Sequence, residues 1–174
     1  MPAVPASWMP DAPMKRIVVH WTAGSHIASA LDREHYHIIV EGDGNVVRGQ
    51  MPITANVPPL REGRYAAHTR NCNSYSIGVS ACGMAGATES PFNPGRFPIS
   101  ERQFRKLAEV IADLAKRYKI PVTDQTILTH AEVQPNLGIK QAGKWDYTRL
   151  VFKPELKGAK PVGDYLRQLV KAAM

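Results

Sequence analysis

Apolar positions along this chain change period several times, and the changes mark its elements. Residues 16–20 (RIVVH) form a short Val/Ile-rich run ending on a histidine, which predicts a buried strand. TAGS follows as a turn of small residues, and residues 27–34 suit a short helix. His35 to Val40 reads as a strand, EGDG as a turn and NVVRG as the return strand. Asp43-Gly44 fits a hairpin because glycine accepts a positive φ. YSIGVSAC (75–82) predicts another strand. Ser100 opens the clearest helix. Ser100 and Gln103 match a capping box, and Phe104, Leu107, Ala108, Ile111, Leu114, Ala115 and Tyr118 recur at three- and four-residue spacing. Ile120-Pro121 ends it. TILTH (126–130) predicts a further strand, again closing on a histidine, followed by a long polar loop to Asp146. Val162, Tyr165, Leu166, Leu169, Val170 and Ala173 predict a C-terminal amphipathic helix at about 162–173.

The connections also carry information. Residues 51–74 are irregular, and a connection this long inside one domain is often functional. Residues 83–98 form a Gly/Pro-rich loop. Mixed strands with a few helices imply a single α/β (α+β) domain over 15–174, a central mixed sheet flanked by helices. The first 14 residues hold four prolines and lack both a basic start and a continuous apolar stretch. They read as an extended, poorly ordered leader rather than a signal peptide.

Composition narrows the class. With 174 residues, 44% of them hydrophobic, the chain can bury a core without disulfides. Cys72 and Cys82 are too few for a disulfide framework; two reduced thiols are the plainer reading, with pairing left open. No apolar run is long enough to span a membrane. The net charge of +7 favours an anionic partner: nucleic acid, an envelope surface or an acidic substrate. No nucleic-acid-binding motif supports the first. Residues 153–174 carry five Lys or Arg against Glu155 and Asp164. The C-terminal helix therefore either touches an anionic envelope or packs on the sheet with a solvated basic face.

Candidate chemistry centres on two histidines. His20 and His130 each sit where a strand runs out, a rigid place to hold ligands. A catalytic zinc site needs a third protein ligand and keeps a fourth position open. Asp146 in GKWDY is the best candidate, with Cys72, Cys82, Asp124 and Glu132 as rivals that spacing does not eliminate. The chain contains no HExxH, CxxC, GxSxG, Walker A or GxGxxG pattern.

Five segments in order carry a resemblance: HWTAG (20–24), YHIIVEGDGNVVRG (36–49), AAHTRNCNSYSIGVSACG (66–83), LTHAEVQP (128–135) and GKWD (143–146). Together they resemble the zinc-dependent N-acetylmuramoyl-L-alanine amidases of the type 2 family, which includes phage lysozyme-type amidases and peptidoglycan recognition proteins. The resemblance covers roughly residues 15–150. It implies Zn2+ held by His20, His130 and Asp146, with Lys144 and Tyr36 as catalytic residues and a substrate groove over the metal. His68, Asn73 and Trp145 fall where groove residues would touch substrate, although His68 has an equal reading as a loop brace. His37 reads as a structural histidine, and His26 and His35 as loop or solvent residues. One family branch, the cytosolic recycling enzymes, has a glutamate where this chain has Ser80, which favours the phage-type arrangement using Tyr36. Asp146 is followed by Tyr147-Thr148 rather than Pro-Gly, so the loop there takes its own course.

The function this implies is cleavage of peptidoglycan between N-acetylmuramic acid and L-alanine. The expected setting is a monomeric phage or prophage endolysin, held in the host cytoplasm until lysis and then acting on the wall. Alternatives are an antibacterial amidase toxin, a muropeptide-recycling amidase and a non-catalytic peptidoglycan-binding module. The full set of metal and catalytic residues argues against the last.

Overall fold

Alternation along four parallel strands divides the molecule into two faces. In the computed structural model, which describes residues 1–174, β1 (Arg16–Trp21) lies at the centre of the parallel part of the sheet. It pairs in parallel with β4 (Ser76–Ala81) on one side and β5 (Ile127–Thr129) on the other. Beyond β4 come β2 (Ile38–Val40), also parallel, and β3 (Val46–Arg48), antiparallel at the edge. The order is β3-β2-β4-β1-β5. Ile17, Val19 and Trp21 of β1 join Ile77, Val79 and Ala81 of β4 in the main core. The intervening Val18 and His20 face the other way, as a period of two requires. Val18 packs there with Cys72, Leu128 and Val133.

The core face is covered by α2 (Glu101–Tyr118) and α4 (Ala159–Ala173). Helix α2 is capped as predicted, with Ser100 and Gln103 reciprocally bonded. In α4, Val162, Leu166 and Val170 are buried against the core, so the tail helix is a packed element. It starts a turn earlier than its apolar pattern indicates. Two of the tail's lysines are paired locally, half-buried Lys153 with Glu155 and exposed Lys160 with Asp164.

Several expectations change. The leader is not loose: Val4 is fully buried, and Met9 and Met14 join the core. Asp113 on α2 accepts hydrogen bonds from the amides of Ala3 and Val4, and Tyr118 donates to the Pro10 carbonyl. Its prolines pre-set an extended path, which lowers the entropic cost of laying it along α2. The strand expected from His35 is shorter, because α1 (Ala30–His35) runs to that residue and Tyr36 caps it. The polar loop expected after His130 begins instead with α3 (His130–Leu137), opened by a Thr129–Glu132 capping box. Pro135 lies inside it and masks the helical pattern. Cys72 and Cys82 are buried free thiols.

Candidate metal centre and groove

His20 projects from β1 on the face opposite the main core, and His130 is the first residue of α3. The parallel pairing of β1 with β5 brings the two together. Their Nδ1 atoms lie 3.0 Å apart. Asp146 Oδ2 lies 3.9 Å from His20 Nδ1 and 3.8 Å from His130 Nδ1. One ligand atom from each residue falls within 4.8 Å of the others, and all three residues are buried. Of the rival third ligands, Cys72 lies in the small cluster around Val18, and Glu132 is consumed by an arginine.

Hydrogen bonds behind the rings decide which nitrogens are free. Gln141 Nε2 donates to the Arg70 carbonyl at 2.8 Å, so its Oε1 faces His130 Nε2, also at 2.8 Å. His130 therefore carries its proton on Nε2 and presents a lone pair at Nδ1. His68 Nε2 lies 3.3 Å from the Ser76 carbonyl, which only accepts, so His68 Nδ1 is an acceptor. That atom lies 3.2 Å from His20 Nε2 and 2.7 Å from the Thr69 hydroxyl. The arrangement that gives each atom a partner puts the His20 proton on Nε2 and a lone pair on Nδ1. Two lone pairs and a carboxylate oxygen thus converge on one point. Without a cation they repel; with one they are ligands, each ring oriented by an outer acceptor as metal-binding histidines commonly are.

Burial supports this electrostatic picture. It pushes the His20 pKa well below its usual value, with the His130 and His68 charges adding to the effect. The His68 pKa is lowered to about 3, chiefly by burial, so its ring is neutral at physiological pH. Asp146 is pushed up by burial, opposed by His130 and by the Trp21 amide, which donates to its carboxylate at 3.2 Å. A bound dication would restore the charged carboxylate.

The remaining predicted residues surround this point. The Tyr36 ring lies against that of His20, with centroids 5.2 Å apart and the planes tilted by 41°. Burial, then the Asp146 charge, drives its hydroxyl pKa upward, so it remains a proton-bearing donor. Lys144 is exposed on the groove wall two residues before Asp146. Trp145 packs edge-on against Trp21 at 4.7 Å and also lines the groove. His68 and Asn73 line it too, but their visible bonds brace it. Asn73 Oδ1 accepts from the amides of His68 and Thr69, and His68 backs His20. The groove encloses about 920 Å3, the upper part of the range of small-molecule sites. The Ser80 hydroxyl sits on β4 beside His20 in register, buried without a hydrogen-bond partner. No carboxylate occupies that position. His37 is structural, with Nε2 against Asn56 Oδ1 and Nδ1 accepting from the Gly78 amide. Gly78 is glycine because a Cβ there would strike the His68 ring.

The family model for N-acetylmuramoyl-L-alanine amidase matches residues 10–147 of this chain. The chain belongs to the N-acetylmuramoyl-L-alanine amidase family. A search of curated protein sequences gives no match. Among solved structures, the fold is similar to PlyL, with 17% identity and a TM-score of 0.52 over 93% of this chain and 86% of that one. It is also similar to the endolysin amidase LysCS from Clostridium intestinale URNW, at 17% identity and TM-score 0.45 over 74% and 86% of the two chains. The E. coli amidase AmiD, solved with an anhydro-muropeptide, matches at 19% identity and TM-score 0.47 over 69% of this chain and 49% of its own.

Two contributors to the amidase site were not legible as functional residues. Gln141 lies in what reads as featureless loop. Tyr147 is fully buried, adopts a left-handed backbone at φ 70 and donates to the His20 carbonyl at 2.7 Å. It locks the turn carrying Asp146 to β1, which accounts for the departure from Pro-Gly there. For Tyr147 the departure from Pro-Gly after Asp146 is the available signal, and Gln141 has none beyond the Thr129–Glu132 capping-box spacing that marks the start of α3 upstream of it.

Proposed function

We propose that this amidase uses zinc held by His20, His130 and Asp146 to cleave the amide between N-acetylmuramic acid and L-alanine in peptidoglycan. The observation that carries this is the convergence of two Nδ1 lone pairs and one carboxylate, each ring held by its own outer partner. The donor set of two imidazoles and a carboxylate, with groove space beside it, suits a catalytic zinc with an open position. Bound zinc would supply Lewis acidity, activating a water near neutral pH and polarising the amide carbonyl. The protein does the rest. Lys144 brings a mobile cation to the oxygen on which negative charge develops. Tyr36 donates a hydrogen bond to the same region. Trp145 offers an apolar wall and Asn73 a polar contact at the groove edge, while both ring nitrogens of His68 are engaged within the protein and hold His20. Ser80 in place of a glutamate, with Tyr36 over His20, favours the phage-type arrangement and a role as an endolysin acting on the intact wall.

Metal analysis tests the reading. Purified protein should hold about one zinc per chain, a chelator should abolish wall lysis, and added zinc should restore it. His130→Ala should lose the zinc. Full activity in metal-free protein would refute the mechanism.

A further inference from the structure

The tail helix meets the metal centre through one buried ion pair. Arg167 of α4 is 6% exposed and Glu132 of α3 is 1% exposed. Arg167 Nη1 donates to Glu132 Oε1 and Nη2 to Oε2, both at 2.9 Å. The same guanidinium donates to the Ile127 carbonyl on β5 at 3.0 Å and to Asp164 at 2.9 Å. Glu132 Oε1 in turn accepts from the Thr129 amide at 3.1 Å, the residue immediately before His130. Gly163 allows the two helices this approach, because a Cβ there would overlap the Glu132 carboxylate.

One side chain of α4 therefore grips both the strand that delivers His130 and the carboxylate that fixes the first turn containing it. A planar guanidinium fork holds a carboxylate in one orientation, which a point charge does not. A carboxylate free to rotate would release the Thr129 amide, and the His130 ring would lose its registry with His20. We propose that Arg167 and Glu132 are positioning residues for His130, which makes α4 part of the metal centre. A targeting tail would need its basic residues free. Here Arg167 is buried, and Lys153 and Lys160 are paired with Glu155 and Asp164, which leaves Lys157 and Lys171 as the exposed cations without an ion-pair partner. The proposal rests on the zinc reading above.

The test uses the full chain and zinc itself, with affinity measured by competition against a chromophoric chelator. Arg167→Lys keeps the charge but loses the fork. It should stay folded and bind zinc about tenfold more weakly, the lower end of what disturbing an outer-shell partner costs. The cobalt-substituted variant should show a shifted visible spectrum. Glu132→Gln with Arg167→Met removes both charges, avoids a lone buried one, and should show the same loss. Leu166→Ala, which loosens α4 but spares the pair, should lower thermal stability and leave zinc affinity unchanged. Affinity of Arg167→Lys within twofold of wild type would overturn the proposal, as would an equal loss in Leu166→Ala. Failure of the wild-type protein to bind zinc would overturn the zinc reading and this inference with it, so the two failures are distinguishable.

Discussion

Replacing Gln141 with leucine isolates the orientation of one proposed ligand, His130, without altering the proposed ligand set. The side chain is 4% exposed and joins His130 Nε2 to the Arg70 carbonyl through two 2.8 Å hydrogen bonds. Leucine fills similar space and removes both. In the metal-free protein the His130 ring can then shift its proton to Nδ1, where it finds the His20 lone pair 3.0 Å away. Zinc binding must reverse that shift and leave an Nε2–H without its acceptor. A buried donor left unpaired costs about 1–3 kcal/mol. Loss of an outer-shell partner costs roughly 10–100-fold in metal affinity, or about 1.4–2.7 kcal/mol. The two routes agree, and because the groove admits water the lower half of that range applies, about 10–30-fold. The assay is competition for zinc against a chromophoric chelator, with circular dichroism as the check on folding. A folded variant with zinc affinity within twofold of wild type would refute the assignment of His130 as an Nδ1 ligand oriented by Gln141.

Other consequences follow from the same geometry. Lys144→Ala should lower kcat by at least tenfold with zinc content unchanged, since the residue is exposed and makes no bond that holds the fold; full turnover would remove its oxyanion role. Asp113→Ala should cost about 1–2 kcal/mol of stability by freeing the two amides of Ala3 and Val4, read as a lower melting temperature with zinc affinity intact; an unchanged melting temperature would contradict the docked leader. Burial lowers the His37 pKa from 6.5 to about 4, so the unfolded chain binds the extra proton between those values. Stability must then fall as pH drops from about 7 to 5, by about 2 kcal/mol from His37 alone. In chelator-treated protein, His37→Gln should reduce the slope of the denaturation midpoint against pH over this range by this one group's share, with His20 and His68 supplying the rest, and an unaltered slope would show that His37 is not buried neutral.

Much of this was readable before the fold was known, and the exceptions have local causes. The strand runs RIVVH, SIGVS and ILT carry enough branched apolar residues to announce themselves, and the cap and stripe of α2 are both visible in one chain segment. His20, His130 and Asp146 were named because ordered motifs surround them. What brings them within 4.8 Å is strand pairing between residues more than a hundred positions apart, which no local pattern encodes. Helix α3 escaped notice because Pro135 interrupts its periodicity, although Thr129 and Glu132 announced its start. The leader looked loose because a proline-rich segment shows no period. Its order comes from Asp113, on a helix it meets only in the folded state. Gln141 and Arg167 are polar residues whose importance lies wholly in partners supplied by other elements.

Mass spectrometry of digested peptidoglycan identifies the bond cleaved at the proposed metal centre. Wild-type protein should release stem peptides with new amino termini on L-alanine and leave glycan strands intact, while His130→Ala releases none. New reducing sugar ends, or cleavage within the stem peptide, would contradict the account.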